Sequence, residues 1–153
     1  MVDFEAHTDA PHAAAIGMVM EALPDGTSAI RLPYAEHLVG DPDTGVLHGG
    51  VITALLDHTA GMVARPQELS RGEAAIATLD LRIDYMGPAT PGRDLWATGE
   101  CYKRTRHIAF VRAWAFHESK SDPVATCVAA FMMDTPNAPR EAPGTPGTPG
   151  TSS

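Results

Sequence analysis

The chain has 153 residues and carries 19 acidic against 11 basic side chains, a formal charge of −8 with histidine neutral. That balance disfavours nucleic acid and an anionic membrane as main partners, since both select a basic footprint, and the length fits one domain with a single core. Its two cysteines, Cys101 and Cys127, are too few for a disulfide framework or a zinc site, and both lie in apolar strand-like runs as reduced core thiols would.

The first ten residues carry Asp3, Glu5 and Asp9, the wrong sign for a signal peptide. Apolar runs stay short of the roughly 20 residues a membrane span needs. A cytoplasmic protein without a membrane partner is expected. Residues 1–13 read as a loose or partly helical arm, 14–133 as the folded domain, and the Pro/Gly/Thr-rich 134–153 as a disordered tail.

Ile16–Leu23 and Thr27–Tyr34 are rich in apolar and β-branched residues and flank Pro24-Asp25-Gly26, a strong turn sequence, so a hairpin is predicted. Asp41-Pro42-Asp43-Thr44-Gly45 is a loop leading into a helix that Pro66 closes. Residues 67–74 form a polar connector. From Ala75 to Met86, Ala77, Leu79, Leu81, Ile83 and Tyr85 alternate with polar residues, predicting a strand with one buried face. Three more strands follow, at Asp94–Lys103, His107–His117 and Pro123–Met133, joined by short turns. Helix and strands do not alternate, so a parallel doubly wound sheet is disfavoured. The expected class is α+β, with an antiparallel sheet of about five to six strands wrapped around one long central helix.

That helix, opened by Leu47-His48-Gly49-Gly50, has valine, isoleucine, leucine and methionine at 51, 52, 55, 56, 62 and 63 and no polar side. A helix apolar all round is a buried one, yet Asp57 sits in its middle. A lone charge there costs several kcal/mol or more unless paired, hydrated or neutralised. At the other end, a helix N-terminus offers unpaired N–H donors, and glycine lets a ligand approach them closely.

The motif Leu47-His48-Gly49-Gly50, Asp57, and the downstream Thr78-Leu79-Asp80-Leu81-Arg82-Ile83-Asp84-Tyr85 with Gly87-Pro88 together resemble the hotdog-fold acyl-CoA thioesterases, most closely the phenylacetate-degradation (PaaI-type) branch. The resemblance spans roughly residues 14 to 133. It implies a hotdog fold and hydrolysis of an acyl-CoA thioester, with no cofactor beyond the coenzyme A of the substrate. It implies that the Gly49 N–H, with Gly50 beside it, polarises the thioester carbonyl. Asp57 would be the general base or the nucleophile, with His48 and Thr78 lining the site. Family members often carry an asparagine six residues before the histidine; here Pro42 stands there, with Asp41 and Asp43 as possible substitutes.

Each residue also admits a plainer role. Asp57 could be a structural carboxylate held by an arginine, and His48 could only cap the helix. His58 points about 100° away from Asp57 around the helix and fits an interface or core histidine, though it is kept as a substrate-side candidate. Thr78 lies on the polar side of its strand and reaches the site only if that face meets a partner chain or a bulge turns it. Lys103, Arg104 and Arg106 cluster at a hairpin tip, either a solvated turn or a landing site for coenzyme A phosphates. Gly49 and Asp57 are eight residues apart, about 12 Å at 1.5 Å per residue, too far to share one thioester carbon. A site using both therefore needs Gly49 of one chain and Asp57 of another, so a dimer or dimer of dimers is expected. A hotdog hydratase or dehydratase and a non-catalytic acyl-CoA-binding module are the alternatives.

Overall fold

The computed structural model describes residues 10–66 and 75–135. Residues 1–9, the 67–74 connector and the residues from 136 onward lie outside them. A short helix α1 (Pro11–Ala15) precedes the predicted hairpin, β1 (Val19–Ala22) and β2 (Ser28–Leu32). Ala13 of α1 is buried in the core, so the ordered packing starts inside the stretch expected to be an arm. The loop before the central helix contains a small ladder, β3 (Val39–Asp41) with β4 (Val46–Leu47), that the sequence did not announce. The long helix α2 runs Gly49–Ala64, and the strands β5 (Ala75–Tyr85), β6 (Leu95–Arg104), β7 (Ile108–Phe116) and β8 (Ala125–Thr135) follow.

The sheet is six-stranded and antiparallel in the order β1-β2-β6-β7-β8-β5. β5 therefore pairs with β8 at the sheet edge and not with its sequence neighbour β6. The chain from β5 to β6 crosses the ends of β8 and β7 and is tied down on the way. Met86 and Gly87 donate their N–H groups to the Val124 carbonyl (2.8 and 3.2 Å). Thr90 donates to His117 Nε2 (2.8 Å), whose Nδ1 lies 2.8 Å from the Asp94 carbonyl.

The core forms where α2 lies on the sheet. Ile52, Leu55, Leu56, Thr59, Ala60 and Ala64 of the helix are buried, against strands whose inner positions are largely alanine, such as Ala109, Ala113 and Ala115 of β7. Small strand residues let a helix bearing leucines lie close to the sheet at native packing density. Trp96, Phe110 and Trp114 fall on the opposite face of the sheet, where Arg31 and Lys120 stand over the two indole rings.

The sheet does not wrap the helix completely. Val51, Ala54, Asp57, His58 and Met62 of the helix remain half-buried. The missing polar face of α2 is thus not explained by its own sheet.

The regular alternation expected for β5 holds for only part of its length. Thr78 pairs with Phe131 but Asp80 with Ala130, so Leu79 is an extra residue in a bulge. Ahead of the bulge Ile76 and Thr78 face the helix; beyond it Leu81 and Ile83 do. Ala77 and Leu79, expected on the buried face, are exposed, Leu79 at 52%. A shift of one residue moves every side chain to the other face.

Candidate active site

β5 runs along one side of α2 in the opposite direction and meets every fourth helical residue, the row Gly49, Thr53, Asp57 and Gly61. Tyr85 lies against Gly49 and Thr53, Thr78 against Asp57, and Ile76 against Gly61. This row brings together three of the residues expected to be functional.

Asp57 is half-buried, and its Oδ1 accepts a hydrogen bond from the Thr78 hydroxyl at 3.0 Å. The bulge is what delivers Thr78, by turning it off the polar side of its strand. No described lysine or arginine pairs with Asp57. A neutral donor fixes the direction of the carboxylate without neutralising it, and leaves Oδ2 for a water. Beneath lies Cys127, whose thiol is pushed up to about 11 by burial, with a smaller contribution from the charge of Asp57. It stays a protonated core thiol and no nucleophile.

The start of α2 is built by the two glycines and the histidine together. His48 is the N-cap, with extended backbone (φ −61°, ψ 132°), and its Nδ1 accepts from the Gly50 N–H at 2.9 Å. Nδ1 is therefore the acceptor nitrogen of the ring. A Cβ at Gly50 would stand 2.9 Å from that Nδ1, so only glycine leaves the imidazole room to fold back. Gly40 is required for a similar reason: a Cβ there would meet the Cα of His48 at 2.8 Å, which would push β3 away from the helix entrance. With Gly50 engaged by His48, the N–H of the exposed Gly49 is a first-turn donor with no acceptor among the described residues. Gly50→Ala is expected to displace the imidazole and remove the cap, costing about 1 kcal/mol in a urea melt. His48→Ala should cost a similar amount, and the pair together little more than either alone.

The other candidates are more dispersed. Asp41 closes its own turn, its Oδ1 accepting from the Asp43 N–H (3.0 Å) and its Oδ2 from the Thr44 hydroxyl (2.9 Å), so its carboxylate is committed there. Pro42 and Asp43 lie exposed in the same turn. His58 is half-buried, one helical position beyond Asp57. Arg104 turns back onto the C-terminal end of α2, donating from Nη1 to the Ala64 carbonyl at 2.7 Å. Arg106 is exposed at the tip of the β6–β7 hairpin. The hairpin tip thus sits at the end of α2 away from Gly49. Sequence reasoning missed the hydroxyl of Tyr85, counted only as an apolar residue of the alternation, and Thr53 beside it. Tyrosine's phenol at the end of a strand directed at a helix N-terminus was the available signal. Among the described residues no helix is long and apolar enough to cross a membrane.

Comparison with known proteins gives the family. Residues 44–123, just over half of the chain, match the family described as the thioesterase superfamily. The medium/long-chain acyl-CoA thioesterase YigI of Escherichia coli is 28% identical over 134 residues, covering 80% of this chain and 85% of that protein. A Halobacterium salinarum relative is 35% identical over 75 residues, and there the match spans 48% of this chain and only half the length of the relative. A crystal structure from Pseudomonas aeruginosa is 36% identical with a TM-score of 0.69, covering 84% of this chain and 94% of that one. A phenylacetic acid degradation-related protein of Ralstonia eutropha shares the fold at 23% identity and a TM-score of 0.64, with 80% and 89% of the two chains covered.

Proposed function

The chain belongs to the thioesterase superfamily and has its hotdog fold, and from that premise we propose that it hydrolyses an acyl-CoA thioester at sites shared between two copies. The observation that carries this is the helix row itself. It begins at an open Gly49 N–H and holds, about 12 Å on, a carboxylate oriented by Thr78. Gly49 of one protomer then holds the thioester oxygen while Asp57 of its partner takes a proton from water. The water oxygen bonds to the carbonyl carbon, and the oxygen that turns anionic is held by the N–H. The tetrahedral intermediate collapses with cleavage of the C–S bond, and the leaving thiolate takes up the proton that Asp57 had accepted, which returns the carboxylate. Acid and free coenzyme A are the products, and the scheme calls for no further cofactor.

Two surfaces support a second copy. Among the described residues the 11-residue β5 is an edge strand with no outer neighbour, and Leu79 and Tyr85 in it and Met86 just beyond it are 52%, 53% and 60% exposed. Long unprotected edges pair with other strands. A two-fold pairing of β5 with its copy continues the sheet and covers the half-buried Val51, Ala54 and Met62 of both helices. The chain length named for YigI makes medium- and long-chain acyl-CoAs the first substrates to test.

Thiol release from a panel of acyl-CoAs, alongside hydration of an enoyl-CoA, is the direct test. Turnover confined to hydration would move the protein to the hydratase reading, and tight binding with no turnover to the binding-module reading. Arg106, exposed at the hairpin tip, is placed in this scheme at the coenzyme A phosphates. Arg106→Gln is expected to raise KM for acyl-CoA about three- to tenfold with kcat unchanged, and an unchanged KM removes the tip from the site. Arg104 is a poorer probe, because its replacement also unties the end of α2.

A further inference from the structure

The Gly49–Gly50 peptide is gripped at both ends. Its carbonyl accepts from the Tyr85 hydroxyl at 3.1 Å, with Thr53 Oγ1 also 3.1 Å away, and its N–H is held by His48 Nδ1 at 2.9 Å. With the Tyr85 hydrogen on that carbonyl, the Thr53 hydroxyl donates its single hydrogen to the Tyr85 oxygen. The Tyr85 ring lies along the Cα of Gly49, where an added Cβ would find it at 3.7–3.9 Å. Two consecutive glycines make the loosest start a helix can have, because each opens backbone conformations closed to other residues. The Gly49 N–H belongs to the preceding peptide and is joined to this one at the Gly49 Cα, so displacement of the clamped peptide as a unit shifts that Cα and the N–H attached to it.

We propose that Tyr85 is a positioning residue for the carbonyl-polarising donor: its hydroxyl clamps the Gly49 carbonyl and so keeps the Gly49 N–H aimed at the thioester oxygen. This rests on the thioesterase reading above. The tyrosine can serve as a clamp because its own backbone is anchored. It ends β5, and the next two residues, Met86 and Gly87, donate to the Val124 carbonyl at 2.8 and 3.2 Å. Thr53, one helical turn from Gly49, orients the Tyr85 hydroxyl from the helix side.

The test compares Tyr85→Phe and Thr53→Val, singly and together, in steady-state thiol release and in thermal melts. Removal of the Tyr85 hydroxyl alone is expected to lower kcat about tenfold, with KM within about twofold, because a displaced donor is felt in the transition state and hardly in ground-state binding. The double variant should lose less than the product of the single losses, since the two hydroxyls act on one carbonyl through one chain of hydrogen bonds. A lower melting temperature with wild-type kcat well below the melt would assign Tyr85 to stability alone and overturn the proposal. A raised KM at unchanged kcat would make it a substrate contact and also overturn it. Wild-type protein with no thiol release overturns the parent reading and this one together, whereas active wild type with an equally active Tyr85→Phe overturns only this one.

Discussion

Asp57→Asn is expected to lower kcat for acyl-CoA hydrolysis by about 10³, within the range by which a positioned general base accelerates proton transfer. Asparagine has nearly the same shape and keeps a carbonyl oxygen to accept from the Thr78 hydroxyl, now 3.0 Å from Asp57 Oδ1. What it loses is the capacity to accept a proton from water. KM, the oligomeric state and affinity for free coenzyme A should therefore stay near wild type, which separates loss of chemistry from loss of fold. The substitution also removes a charge from a half-buried position, so the variant should unfold at equal or higher urea concentration. A kcat within tenfold of wild type would sink the assignment of Asp57 as base and leave it a structural carboxylate.

Gly49→Pro is expected to cost roughly 10²–10³ in kcat, the usual loss on removing one donor to a developing oxyanion. Proline has no N–H, and the first helical position is where its ring is best tolerated. The residue before it must be extended, and His48 at φ −61° and ψ 132° already is. The helix should therefore start as before, with its donor missing. Mixing this variant with Asp57→Asn then asks whether a site spans two chains. In a heterodimer one site would contain Gly49 and Asp57 intact and the other would contain both replacements. After dissociation and random reassembly of equal amounts, about a quarter of wild-type activity should return. If both functional groups came from a single chain, no site in the mixture would be whole and activity would stay at the level of the separate variants.

Several features could be read from residues alone because each is local. Pro24-Asp25-Gly26 specifies its hairpin turn, and Gly26 there has φ +83°. α2 shows as an uninterrupted apolar helical stretch between two glycines and a proline, and β6, β7 and β8 lie within a few residues of their expected bounds. The β3–β4 ladder escaped because β4 has two residues, too few to display a period. The crossing from β5 to β6 escaped because pairing partners are chosen by the whole sheet, and a connector of Gly and Pro residues looks the same whether it closes a hairpin or spans two strands.

Asp57 and Gly49 stood out as candidates for a chemical reason. A carboxylate in an apolar helix, and glycines at a helix entrance, stand out against what packing alone would select. Their spacing, set by the helical rise, also carried the inference that one chain cannot supply both to one carbon. Which neighbours serve them was decided only by tertiary structure. Alternation along β5 contains no mark of where it slips by one residue. The bulge at Leu79 exists because Thr78 and Asp80 pair with consecutive residues of β8, and that slip alone turns Thr78 onto Asp57. In the same way, the identity of the open donor depends on His48 folding back onto Gly50, and the clamp on Gly49 depends on the end of β5 arriving beside it. Residue type determines which groups can do chemistry; long-range backbone pairing determines which of them meet.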